Sequence, residues 1–156
     1  MGIGGIMSKR TLAVLFVILL FSWPGTAAAQ SDALRSAYDQ CNTLQDQGRY
    51  GDAEPLFKRA LAIKEKAFGP DHPGVALGLS NLASLYNAQG RYGEAEPLHK
   101  RALAIMEKAL GPEHPNVATS LENYAKLLRK TERDAEAEEL EARGKAIRAR
   151  HAEKNP

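Results

Sequence analysis

Cysteine is nearly missing from this chain: Cys41 is the only one in 156 residues, which excludes an intramolecular disulfide framework. Aromatic residues are sparse at 6%, and 156 residues at 44% hydrophobic allow one modest domain. An excess of one charge is lacking as well, with 21 basic groups against 19 acidic ones and a formal net charge of +2. Met1 to Ala29 contains Lys9 and Arg10 and no acid, so the chain without that stretch is formally neutral. Such a balance excludes a broad positive field for nucleic acid or acidic lipid. No serine sits in a strand-to-helix elbow, no glycine-rich phosphate loop is present, and no carboxylate pair stands out from ordinary helix-surface acids. The sequence therefore offers no catalytic residue and no cofactor-binding motif.

Long apolar runs are also scarce. The one that exists, Leu12 to Phe21, has 10 residues, about half the roughly 20 that a membrane-spanning helix needs. Lys9 and Arg10 precede it, Trp23-Pro24-Gly25 breaks it, and Ala27-Ala28-Ala29 supplies a small-x-small site. This order is the grammar of a secretory signal peptide. The expected leader is 1–29, cut after Ala29, leaving a domain 30–156 with no stable membrane anchor, exported to a periplasm or secreted. The chain has no twin arginine, and Tyr38-Asp39-Gln40 before Cys41 is not a lipid-anchor sequence.

What the remaining chain does have is an internal repeat. Gly48 to Pro73 and Gly90 to Pro115 superpose at an offset of 42 with five differences in 26 positions. These are Asp52/Glu94, Phe57/His99, Lys64/Met106, Phe68/Leu110 and Asp71/Glu113. A weaker third copy follows, with Glu136-Ala137-Glu138 placed 42 residues after Glu94-Ala95-Glu96. A fixed period of this size signals a stacked array. Leu79, Leu82, Ala83 and Tyr86 fall at i, i+3, i+4 and i+7, and Ala95, Leu98, Ala102 and Ile105 form a second helical stripe. Gly90-Arg91-Tyr92-Gly93 separates the two, and Gly111-Pro112-Glu113-His114-Pro115 ends the pair, because glycine caps one helix and proline opens the next. The expected helices are 33–47, 51–68, 74–89, 93–110, 116–131 and 134–151, arranged as antiparallel pairs in repeats 33–73, 75–115 and 117–151. Pro55 and Pro97 are expected in or near a first helical turn, where a missing N–H does least harm.

Leu82, Ala83, Tyr86, Gly90, Tyr92 and Ala95, with the tail Ala102-Leu103, Ile105, Glu107-Lys108 and Gly111-Pro112-Glu113-His114-Pro115, resemble the tetratricopeptide repeat in the 42-residue form of kinesin light chains. The resemblance implies an all-α fold, a right-handed α-solenoid of about three antiparallel helix pairs. The outer copies depart from the pattern. Glu132 replaces the turn glycine, Asp134 the tyrosine and Gly144-Lys145 the Ala-Leu pair, so the last helix reads as a polar cap, while Gln40 and Cys41 dilute the first.

Further expectations follow from repeat position. Cys41 faces the partner helix as a small hydrophobe. His72 and His114 sit at equivalent points of successive repeats, too far apart to share a metal ion, so they belong to a rigid connector; no metal site is expected. His99 is a packed or half-exposed spacer, and Glu65, Lys66, Glu107 and Lys108 form a solvated outer face.

The resemblance also implies a concave groove lined by the first helix of each pair. Transferred by position, its peptide-binding residues are Ser80, Asn81, Ser84 and Asn87 in the middle repeat, beside Leu77 and Ala88. In the next repeat they are Thr119, Glu122, Asn123, Lys126, Arg129 and Lys130. The first repeat adds Arg35, Tyr38, Asn42, Gln45 and Asp46. Amides there bond any extended backbone and cations select acidic groups. The expected function is a non-catalytic scaffold that binds another protein or peptide, acidic by preference. The alternative is a self-associating spacer of a cell-envelope assembly, a homo-oligomer.

Overall fold

The computed structural model describes residues 27–154, with side chains from Arg35 onward except those of Tyr38 and Asn42. Expectations for the leader over 1–26, and for the side chains of Tyr38 and Asn42, lie outside the described residues. The chain divides into two units, Met1–Ala33 and Leu34–Pro156, and the account below concerns the second.

Six helices are described: α1 (Ala27–Asp46), α2 (Tyr50–Phe68), α3 (Pro73–Ala88), α4 (Tyr92–Leu110), α5 (Pro115–Lys130) and α6 (Asp134–Lys154). The inner boundaries fall within one residue of those the apolar spacing predicts. The outer ends differ, since α1 starts six residues before the expected 33 and α6 runs three beyond the expected 151. Helix α1 thus takes in Ala27-Ala28-Ala29, because alanine is the best helix former whatever else the segment does.

The connectors explain the regularity. Between repeats, Gly69 and Gly111 take φ of 85° and 86°, a region open to glycine alone among common residues. Pro73 and Pro115 then open α3 and α5 at the first turn. His72 and His114 are the N-caps, each accepting on Nδ1 the backbone N–H two residues on, from Gly74 at 3.0 Å and Asn116 at 3.1 Å. The two histidines therefore have a defined structural job in the rigid connector. Pro55 and Pro97 lie deeper than a first turn, at the sixth residue of α2 and α4, so each removes one intrahelical hydrogen bond.

Within repeats the turns share one geometry. Gly48 and Gly90 take φ of 70° and 73°, and the amides of Arg49, Arg91 and Arg133 reach back to Leu44, Tyr86 and Leu128 at 2.8, 2.9 and 2.9 Å. Glu132 keeps this turn without a glycine, at φ 58°.

Buried side chains form two layers that run across all repeats. One joins Cys41, Phe57, Leu85, Tyr86, Tyr124 and Leu127 near the turns, and the other joins Val75, Leu79, Met106, Val117, Leu121 and Ile147 near the inter-repeat connectors. Leu61, Leu98 and Leu140 touch both. Each fully buried aliphatic contributes about 1.5–3 kcal/mol, so this spine outweighs any surface term. Helix α6 is the predicted polar cap, burying only Ala137, Gly144 and Ile147 fully. Gly144 packs against α5 there, where a Cβ would make ordinary van der Waals contact with the Ala118 carbonyl oxygen at 3.5 Å and Glu122 Cγ at 3.6 Å.

The Glu132 turn yields a stability prediction. Glu132→Gly should raise stability by about 0.5–1 kcal/mol by relieving a left-handed non-glycine residue, whereas Gly90→Glu should lower it by a similar amount. Urea unfolding followed by circular dichroism measures both, and a destabilised Glu132→Gly would show that the glutamate side chain itself holds the turn.

Candidate functional site

Helix α5 packs beside α3, and the two present the same register to solvent. Along α3, Leu77, Asn81, Ser84 and Ala88 recur at i, i+4, i+7 and i+11 on a side left uncovered among the described residues. Leu77 is 50% exposed, Asn81 and Ala88 are exposed, and Ser84 is half-buried. The matching positions of α5 are Thr119, Asn123, Lys126 and Lys130, exposed but for the half-buried Asn123. Neither lysine is held in a direct ion pair among the described residues. Six of the ten expected binding residues are therefore brought together on one strip.

The other four lie on the flank of that strip. Ser80 is buried. Asn87 points its Nδ2 at Nε2 of His99, 3.2 Å away on α4. The equivalent pair one period later is Arg129 with Glu141 on α6, where Nη2 and Oε2 are 3.0 Å apart, and Arg129 also reaches Asp134 at 3.1 Å. Glu122, equivalent to Ser80, is held by Arg148 at 2.6 Å, and Arg148 also bonds Thr119 at 3.2 Å. These four positions face the second helix of their own pair. In α5 they carry charge that α6 neutralises. In the first repeat Arg35 and Asp46 are exposed and Gln45 is half-buried.

His99 is fully packed, 1% exposed, with its ring stacked on Tyr124 at 6.1 Å between centroids. Burial lowers its pKa to about 4, so the ring is neutral and accepts from Asn87. The Asn87 Oδ1 is left buried without a partner among the described residues. Cys41 is likewise fully buried, against Ala53 and Phe57, and burial raises the pKa of its thiol. Among the described residues no group of three or more acidic, histidine or cysteine side chains could hold a metal ion, and no helix is long and apolar enough to cross a membrane.

Sequence reasoning missed a set of ion pairs between successive second helices. Glu54 on α2 is clasped by Arg91 at 2.6 Å, Lys58 at 2.7 Å and the Tyr86 hydroxyl at 3.1 Å. Glu96 on α4 is clasped in the same way by Arg133 at 2.9 Å, Lys100 at 2.8 Å and the Tyr124 hydroxyl at 2.9 Å. Arg91 and Lys58 hold Glu54, and Lys100 and Arg133 hold Glu96, at a pKa of about 2. Two further pairs repeat: Glu65 with Arg101 at 2.8 Å becomes Glu107 with Arg143 at 2.6 Å, and Asp71 with Lys108 becomes Glu113 with Arg150. Glu65, Glu107 and Lys108 are thus inter-repeat contacts rather than a merely solvated face. The signal was present, because each charged donor and each charged acceptor recurs at the same offset of 42. Exposed pairs of this kind contribute about 0–1 kcal/mol each, so they set register more than stability.

Comparison with known proteins agrees with this geometry. First, the paired helices and connectors define a helical-repeat scaffold. The family model described as Tetratricopeptide repeat matches residues 32–108 and 75–150, and the chain belongs to that family, in its kinesin-light-chain-like form. The nearly identical TPR-like repeats described for a kinesin light chain of Podosopora anserina are 31% identical, with a TM-score of 0.68 over 74% of this chain and 55% of that one. BtubC (BKLC) from P. vanneervenii shares the fold at 20% identity and TM-score 0.73, over 95% of this chain and 60% of that one. The TPR domain of Arabidopsis FLU shares it at 19% identity and TM-score 0.64, over 75% of this chain and 95% of that domain. The chain thus spans little more than half the length of the first of these. No curated protein matches it. Tetratricopeptide repeats are protein-interaction scaffolds, and this array is one.

The buried histidine and the clasped carboxylates set the acid response. Below its ordinary value of 6.5, His99 would take up a proton in the unfolded chain but not in the native one until about pH 4. Stability should therefore fall across that window, by at most about 1.4 kcal/mol per pH unit. Glu54 and Glu96 contribute fully above their ordinary value of 4.5, and that contribution is lost as pH falls toward about 2. His99→Phe, which installs the residue found at Phe57, should flatten the pH 6.5 to 4 window and leave the lower one. Urea melts at pH 7, 5.5 and 4.5 check this; an unchanged slope would assign the upper window to another group.

Proposed function

We propose that this protein is a non-catalytic, exported adaptor that holds an extended segment of another protein against the outer strip of α3 and α5. The observation that carries the reading is the composition of that strip. Asn81, Ser84 and Asn123 offer amides and a hydroxyl, Leu77 offers exposed apolar surface, and Lys126 and Lys130 offer cations with no direct ion pair among the described residues. Amides bond an extended backbone whatever its sequence, and the lysines favour carboxylates at one end. The cations of the site are Lys126 and Lys130; Arg129 is occupied by Glu141 and Asp134. The leader grammar of Met1 to Ala29 supports export to a periplasm or beyond, with Gln30 as the first residue of the processed chain.

The test compares extended peptides of equal length bearing acidic or neutral residues, by fluorescence anisotropy on the processed chain. Acidic peptides should bind more tightly, and Lys126→Glu with Lys130→Glu should weaken them at least tenfold while leaving neutral ones unchanged. Unchanged affinity of a folded double variant for the acidic peptide would remove the strip as the site. Intact mass of the protein recovered outside the cytoplasm should place its N-terminus at Gln30.

A further inference from the structure

The ion pairs between second helices form a rule that the chain applies twice and then leaves open at one end. Donors on α4 and in the turn before it, Arg91, Arg101 and Lys108, take Glu54, Glu65 and Asp71. One period later Arg133, Arg143 and Arg150 take Glu96, Glu107 and Glu113. One period earlier the donors are again present, as Arg49, Arg59 and Lys66. Their acceptors would fall at Leu12, Trp23 and Ala29, none of which is acidic.

The open donors are visible atom by atom. Arg91 and Arg133 give Nη1 to Glu54 and Glu96 at 2.6 and 2.9 Å and turn the rest of the guanidinium to Glu94 and Glu136. Arg49 gives Nε and Nη2 to Asp52 at 2.9 and 2.7 Å, while its Nη1 has only Gln47 at 3.5 Å. Arg59 and Lys66 are exposed and have no ion-pair partner among the described residues. The apolar part of the surface is repeated too. Ile105 of α4 is buried in the layer on which Leu61 of α2 packs, whereas its counterpart Ile63 is only half-buried.

We propose that this edge of α2 is a docking site for a helix of another protein that carries carboxylates at matching spacing, gripped by Arg49, Arg59 and Lys66 around Ile63. The chain's own pairs specify the occupant. It carries two carboxylates 11 residues apart, as Glu54 and Glu65 are, which is about three turns and so one face of a helix. A third carboxylate lies six residues on, past the helix end, as Asp71 does. A second copy of this chain fits poorly, because the corresponding positions at its far end are Glu138, Ala149 and Asn155, one carboxylate in three. This site is separate from the outer strip of α3 and α5.

The probe is a labelled peptide copying residues 47–73, which carries all three carboxylates, titrated by anisotropy into the full domain at low salt. Saturable binding is expected, weakened at least tenfold by Arg59→Glu with Lys66→Glu and restored when the peptide carries Glu65→Lys and Asp71→Lys. Both substitutions sit on exposed side chains, and circular dichroism verifies the fold. Absent binding, or binding indifferent to the charge swap, overturns the proposal. Loss of binding with Lys126→Glu would place the peptide on the other strip and also overturns it. Light scattering that shows the wild-type chain growing with concentration, and Arg59→Glu stopping that growth, would give the edge to a second copy instead.

Discussion

A single helix pair cannot bury both of its flat sides, and this constraint governs the whole molecule. Each pair covers its apolar stripe against the next, so a contact that works once must work again 42 residues later. The two buried layers show the result: Val75 and Val117, or Leu79 and Leu121, occupy the same place in successive repeats. Polar groups obey the same translation. His72 and His114 cap equivalent helices with the same nitrogen, and Glu54 and Glu96 gather equivalent arginines and lysines.

The tyrosines reveal how loosely sequence has to follow structure. Tyr86 reaches Glu54 and Tyr124 reaches Glu96, yet they are not one period apart. Tyr124 stands at the position of Leu82, and Leu128 at the position of Tyr86. Residues one turn apart share a helix face, so the hydroxyl arrives at the same carboxylate from a neighbouring turn. The contact persists while the residue that makes it has moved.

Much of the fold was legible because apolar spacing and glycine–proline punctuation are local signals. They place the inner helix ends within a residue. The start of α1 was not legible, since its alanines fit both a leader end and a helix. For the candidate site, side-chain direction was the difficulty. Positions 80, 87, 122 and 129 lie at the margin of the outward face, and only the packing of α4 and α6 decides which way each turns. Ser80 is covered, Asn87 goes to His99, and Arg129 goes to Glu141. Fold alone does not assign a ligand; the strip that remains exposed does the discriminating.

The two best-matched repeats are close enough in sequence that α2 could take the berth of α4 while the chain folds. Met106 shows why that exchange is penalised. It is 1% exposed, and the residue that a slipped chain would bring there is Lys64, whose ammonium would lose its water. The same slip would offer Phe57 to Asn87 in place of the His99 nitrogen, leaving the amide without any acceptor. Two of the five departures from perfect duplication thus act as a key that admits only the correct neighbour.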